Sequence, residues 1–137
     1  MIKVLLYLWQ LRQNLLGLFL VHFTDARKSF YVLNKNTVKY YKAKKHAETW
    51  GGVSLGNYIV VSYGNTSVST ILHEAGHQKQ SRYLGIFYLL IIGLPSLLGN
   101  LYDRIFHKSW NEQKRIDWYY SQPWEAWADK LGGVIRW

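Results

Sequence analysis

Polar and apolar positions change period several times along the 137 residues, and each change marks an element. Residues 4–23 are apolar except where Gln10, Arg12, Gln13 and Asn14 interrupt, which predicts one apolar N-terminal helix over residues 1–23. An arginine near the centre of a span costs roughly 2.5–3.5 kcal/mol on insertion scales, so a core-packed or interfacial helix is expected rather than a crossing one. No small-residue cleavage site follows it, so it does not read as a signal peptide. In residues 30–42 aromatic and β-branched side chains alternate with lysines, the period of one or two strands with solvated lysines. Residues 53–63 are again β-branched and aromatic, around Gly56-Asn57, a two-residue hairpin signal. Strands are therefore expected over residues 30–63.

Helical spacing then takes over. Asn65-Thr66-Ser67 offers capping side chains, and Val68, Ile71, Leu72 and Ala75 recur at near-helical intervals, predicting a helix over residues 66–84. Residues 84–101 carry no charge but are broken by Pro95 and glycines. A hairpin turning near Gly93-Leu94-Pro95 would leave two limbs of about nine residues, each roughly 13 Å long. Such limbs are too short to cross about 30 Å of hydrocarbon and would dip into one leaflet or pack beside the core. A last helix is expected over residues 122–132, with Ser121 or Gln122 capping, Pro123 in the first turn and Gly132-Gly133 closing it. Strands bracketed by helices in a chain of this length give a single compact α+β domain, with the strands as a small antiparallel sheet.

Charge and composition narrow the partners. Lys and Arg outnumber Asp and Glu by 17 to 8, and cysteine is absent, which removes disulfides and thiolate ligands. Through His46 the only acid is Asp25, set against nine Lys and Arg. A solvated basic face is the first reading of that block and contact with an anionic membrane surface the second. No nucleic-acid motif accompanies it, so no nucleic-acid partner is expected. The location expected is cytoplasmic or membrane-associated, peripheral or monotopic.

The chemistry is concentrated in His73-Glu74-Ala75-Gly76-His77. On a helix, positions i and i+4 share a face, so His73 and His77 can converge on one metal ion. Glu74 stands one residue round, placed to take a proton from a metal-held water rather than to bind the metal. Gly76 costs about 1 kcal/mol of helix propensity relative to alanine, which is explained by close approach of another element beneath the site or by simple tolerance. Downstream, Glu125 and Asp129 are again i and i+4. Glu125 can serve as a third ligand that leaves a fourth position open, and Asp129 can accept the second ring N–H of a ligand histidine. The plainer alternative is that Glu125 favours its helix N-terminus and Asp129 pairs with Lys130 or solvent.

The pair of motifs, His73-Glu74-x-x-His77 and Glu125-x-x-Ala128-Asp129, resembles the gluzincin clan of zinc metallopeptidases. Within it, the second motif looks most like the membrane-linked HtpX and CAAX-endopeptidase branch, and the chain length resembles minimal gluzincin domains. The resemblance covers roughly half the chain. It implies one Zn²⁺ per chain at His73, His77 and Glu125, with Glu74 as general base, Asp129 behind the ligands, and a peptide or protein substrate. It also implies a substrate-binding edge strand before the helix, for which residues 53–63 serve; a hairpin that only supports the core is the alternative. A metzincin pattern is excluded, because it needs glycine at Gln80 and histidine at Tyr83.

Tyr119, Tyr120 and His107 lie where an oxyanion donor could arise, and none is singled out. A non-catalytic protein with a structural zinc site is the competing expectation, with His22, His46 or His107 closing the fourth position. A membrane-binding or lytic protein is a third. Topology adds one constraint: His77 and Glu125 must lie on the same side of any membrane.

Overall fold

The computed structural model describes residues 1–33, 36–45, 51–62 and 67–136. Among these, six α-helices and a four-stranded sheet make a mixed α+β fold. Helices α1 (Ile2–Trp9) and α2 (Leu11–Phe23) precede the strands β1 (Arg27–Leu33), β2 (Asn36–Lys42), β3 (Gly52–Leu55) and β4 (Tyr58–Val61). Helix α3 (Val68–Leu84) follows, then α4 (Leu94–Phe106), α5 (Glu112–Ser121) and α6 (Pro123–Gly132). The capping residues Asn65 and Thr66 proposed for α3 lie outside the described residues, and Ser67 holds its N-cap position.

The sheet order is β1-β2-β4-β3. Both hairpins are antiparallel, but β2 pairs with β4 in parallel, Tyr41 opposite Val60. The expected wholly antiparallel sheet is corrected here: the chain between β2 and β4 brings β4 in alongside β2 in the same direction, leaving β3 on the edge. The β3–β4 turn falls at Gly56-Asn57 as the sequence indicated. Gly56 adopts φ +64°, a left-handed conformation that glycine tolerates without strain, and the Asn57 N–H donates to Asn14 Oδ1 at 2.7 Å.

Alternation along β4 explains its position. Ile59 and Val61 point to one face, where they bury with Tyr40 against Ile71 of α3. Val60 points to the other, packing with Ala43 against Leu20 and Val21 of α2. Each fully buried aliphatic side chain stabilises by about 1.5–3 kcal/mol, so this three-layer sandwich of α2, sheet and α3 anchors the N-terminal half of α3.

Two further sequence expectations fail. The N-terminal helix is two helices, bent by 83° at Gln10. The bend lets the Gln10 side chain turn inward, where it is fully buried and accepts from Ser81 Oγ at 2.6 Å. Nor do residues 84–101 form a hairpin. After a 3-10 turn at Gly85–Phe87 the chain is helical from Leu89 to Phe106, long and apolar enough to cross a membrane by length and composition. Proline normally clashes with the carbonyl four residues back, but the first turn here is a wider π turn (Leu89–Gly93), and Pro95 sits in the first turn of α4. The return leg is α5, a largely polar helix that no apolar periodicity marks in the sequence. Its N-cap Asn111 accepts the Lys114 N–H at 2.8 Å. Asp103 of α4 pairs with Arg115 of α5 at 2.7 Å, and Tyr102 stacks on Trp118. The antiparallel α4–α5 pair thus carries the chain out and back, delivering α6 to α3.

At the α3–α6 crossing the backbones touch. A Cβ on Gly76 would lie 1.8 Å from the Ala128 carbonyl oxygen, and one on Gly132 would lie 1.9 Å from that of Leu72. Close approach, not tolerance, explains the glycine inside the motif helix. Gly76→Ala should therefore force α3 and α6 apart and cost about 1–3 kcal/mol, read as a lower urea midpoint; an unchanged midpoint would contradict this contact.

Candidate metal centre

The crossing stacks the two motif faces on each other. His73 and His77, one turn apart on α3, face Glu125 and Asp129, one turn apart on α6, and all four are buried. His73 Nε2 lies 3.0 Å and His77 Nε2 2.9 Å from the same oxygen, Glu125 Oε2. The ligand atoms of these three residues all fall within 4.8 Å of one another, the group of His, Asp and Glu side chains among the described residues able to hold a metal ion. The structure thus brings together every residue expected as a ligand, with Asp129 behind them.

Hydrogen bonds around the trio decide what it can hold. The Nδ1 of His73 faces Asp129 Oδ1 at 2.6 Å, and that of His77 faces Gln80 Oε1 at 2.7 Å. The Gln80 amide donates through Nε2 to the Trp124 carbonyl at 2.9 Å, which orients its oxygen toward His77. Both partners only accept, so both Nδ1 atoms carry protons. Neutral imidazoles then present their Nε2 lone pairs to a carboxylate oxygen, three lone pairs converging on one point. That arrangement requires a cation at its centre, either a proton on a ring or a metal ion. A small tetrahedral cation sets its ligand atoms roughly 3.3 Å apart, and the two nitrogen–oxygen separations of 3.0 and 2.9 Å are close to that, so the donor set fits a metal ion.

Further side chains fix the carboxylates. Ser96 Oγ of α4 donates to Glu125 Oε1 at 2.5 Å and contacts the Tyr119 hydroxyl at 3.1 Å, leaving Oε2 for the histidines. Arg136 grips Asp129 through Nε at 2.6 Å and lies over the Tyr120 ring, which packs perpendicular to the His73 ring. Glu74 is buried beside the trio against Gly52 of the edge strand β3, where a Cβ would come within 2.9 Å of its Cγ. Of these, Gln80 had a sequence signal, standing i+3 from His77. Ser96 and Arg136 had none, being brought in from elements the motifs do not include.

The proposed fourth ligands do not join. His22 is exposed on α2, and His107 sits in the α4–α5 connection, stacked on Trp110 with Nδ1 3.1 Å from Asp103. His46 lies outside the described residues. Tyr119 and Tyr120 both approach the site, Tyr119 through Ser96 and Tyr120 through His73. Comparison with known proteins finds no match to this chain among family models, curated proteins or solved structures.

Titration follows the same contacts. Burial opposes charge on His73, but the Asp129 and Glu125 hydrogen bonds and the nearby Glu74 outweigh it and raise its pKa from 6.5 to about 9. Burial likewise opposes ionisation of Glu125 and Asp129, yet the histidine bonds, with Arg136 at Asp129, hold both below their usual values. Glu74 moves the other way: burial dominates and raises it. In the metal-free protein, the His73 contribution to stability is complete below pH 6.5 and lost as pH rises through about 9, while raised Glu74 adds loss above its ordinary 4.5. The thermal midpoint of metal-stripped protein should thus fall from pH 6.5 to 9, and saturating zinc should abolish the decline. A midpoint that is flat or rises over this range would contradict the assigned pairing.

Proposed function

We propose that the protein is a zinc-dependent metallopeptidase built as a minimal gluzincin-like domain. The observation that carries this reading is the convergence of His73 Nε2, His77 Nε2 and Glu125 Oε2, with each ring's Nδ1 already committed elsewhere. Three protein donors, with neither His22 nor His107 joining them, fit a catalytic site that keeps one position open better than a closed structural one. Bound there, zinc supplies Lewis-acid chemistry.

The chain's own residues do the rest. Glu74 is adjacent to the donors without sharing their oxygen, and its raised pKa suits a group that takes a proton from the attacking water and passes it to the leaving amine. Asp129 and Gln80 hold the two rings in the tautomer that presents Nε2, and Ser96 with Tyr119 holds the far oxygen of Glu125. The β3 edge beside Glu74 suits an extended peptide added through main-chain hydrogen bonds. The location that accompanies this reading is cytoplasmic or membrane-associated, and in the second case peripheral or monotopic, since the long apolar helix cannot cross once while Glu125 returns to His77.

Metal analysis of purified protein should find about one zinc per chain. Glu74→Gln should retain the metal while peptide hydrolysis drops by about 10²–10⁴-fold, the usual worth of a general base. Glu125→Ala should weaken zinc binding; normal binding by that variant would show the ligand assignment to be wrong. An active Glu74→Gln enzyme would remove Glu74 from its role.

A further inference from the structure

Helices of water-soluble domains turn their apolar stripe inward, and two segments of this chain do the reverse. No α1 side chain is buried; the buried polar side chains are Gln10 at the α1–α2 bend and Gln13 and Asn14 of α2, and these bind the rest of the protein through hydrogen bonds. Gln13 Nε2 donates to Ser81 Oγ at 3.1 Å and to the Gly85 carbonyl at 2.7 Å, while Ser81 donates to Gln10. Leu5, Leu8, Leu15, Leu16 and Phe19 point outward and are exposed. Helix α4 repeats the inversion. Ser96 and Asp103 face inward, toward Glu125 and Arg115, and Leu94, Leu97, Leu98, Leu101 and Ile105 look out.

This exposure is concentrated. Among the described residues, every exposed large apolar side chain except Phe30, Val32, Val68 and Ile135 lies in residues 1–23 or 83–106. The two surfaces meet at Trp9, whose indole N–H donates to the Arg82 carbonyl at 3.1 Å and whose ring rests on Gly85. A soluble monomer's largest apolar patch is typically about 300–600 Å², and larger rimmed patches mark protein or membrane contact sites.

We propose that the outer faces of α1, α2 and α4 form one monotopic surface that lies in a single leaflet of a membrane bearing anionic lipid, with the helices near the bilayer plane. On the inner faces the Gln13 amide nitrogen, the Gln10 amide oxygen and Ser96 Oγ bond within the protein, which keeps these polar groups off the apolar surround; among the described residues only the Gln13 amide oxygen is buried there without a partner. Charge selects the lipid over a second copy of the chain. Residues 1–23 contain Lys3 and Arg12 and no acid, residues 83–106 contain Arg104 and a single acid, Asp103, which pairs inward with Arg115, and the chain carries a formal charge of +9. Arg82 adds a cation at the seam. Two copies meeting through this face would oppose like charges, whereas anionic headgroups neutralise them. The in-plane orientation follows from α5, whose exposed Glu112, Lys114 and Asp117 travel back alongside α4 and bar the pair from crossing the hydrocarbon. The inference rests on the membrane-peripheral reading of location and is independent of hydrolysis.

Flotation of the full chain with phosphatidylcholine vesicles, with and without phosphatidylglycerol, tests it. Wild-type protein should float with the anionic vesicles, more weakly with the neutral ones, and less as salt is raised. Phe19→Glu and Leu98→Glu, both at exposed sites, should each lower partitioning about tenfold or more while leaving the circular dichroism spectrum unchanged. Ile135→Glu, exposed but outside the two segments, should float as wild type does. If wild type floats and the two variants float equally well, this surface is wrong although the membrane location stands. If wild type does not float with either vesicle, both fail; a dimer that Phe19→Glu and Leu98→Glu dissociate would then show that a second copy covers the face.

Discussion

The contact on which the rest depends is the crossing of α3 and α6 at backbone distance. Gly76 meets the Ala128 carbonyl and Gly132 meets that of Leu72, so no side chain separates the helices on that side. With the axes so close, side chains one turn apart on each helix, His73 and His77 against Glu125 and Asp129, reach each other directly. A methyl group at either glycine would widen the gap and pull a 2.9 Å contact out of range. The sandwich of α2, sheet and α3 holds one partner of this crossing and the α4–α5 pair delivers the other.

That delivery ties the site to the molecular surface. Helix α4 carries Ser96 on its inner face, bonded to Glu125, and a row of leucines on its outer face. One helix therefore borders the candidate metal centre on one side and, in the proposed orientation, lipid on the other. The polar interruption of the N-terminal segment has a parallel role: Gln10, Gln13 and Asn14 dock α1 and α2 onto α3 and the β3–β4 turn. Polar residues do the internal joining in both segments, which frees the apolar faces for the outside.

Much of this was legible in the sequence because short-range rules govern it. The i, i+4 spacing of each motif, the Gly56-Asn57 turn and the Pro123 and Gly133 boundaries of α6 depend on neighbours a few residues away. The failures share the opposite property. Gln10 breaks the first helix because Ser81, far along the chain, draws it inward. Pro95 does not end its helix because a π turn absorbs the clash. The parallel β2–β4 pair is a tertiary choice that alternation cannot show, and Ser96 and Arg136 reach the site only because α4 and the chain after α6 pass beside it. Helix α5 was passed over although its Asn111 cap was visible, since its polar composition masked a helix held by Arg115 and Trp118 against α4.

The central claim is that His73, His77 and Glu125 hold a metal ion with one position left open. Anomalous diffraction at the zinc edge, on crystals of the full chain, tests it most directly. The account predicts a single strong peak about 2.0–2.2 Å from His73 Nε2, His77 Nε2 and a Glu125 oxygen, with a water completing the coordination. A peak elsewhere, none at all in zinc-supplied crystals, or a fourth protein side chain on the metal would contradict it.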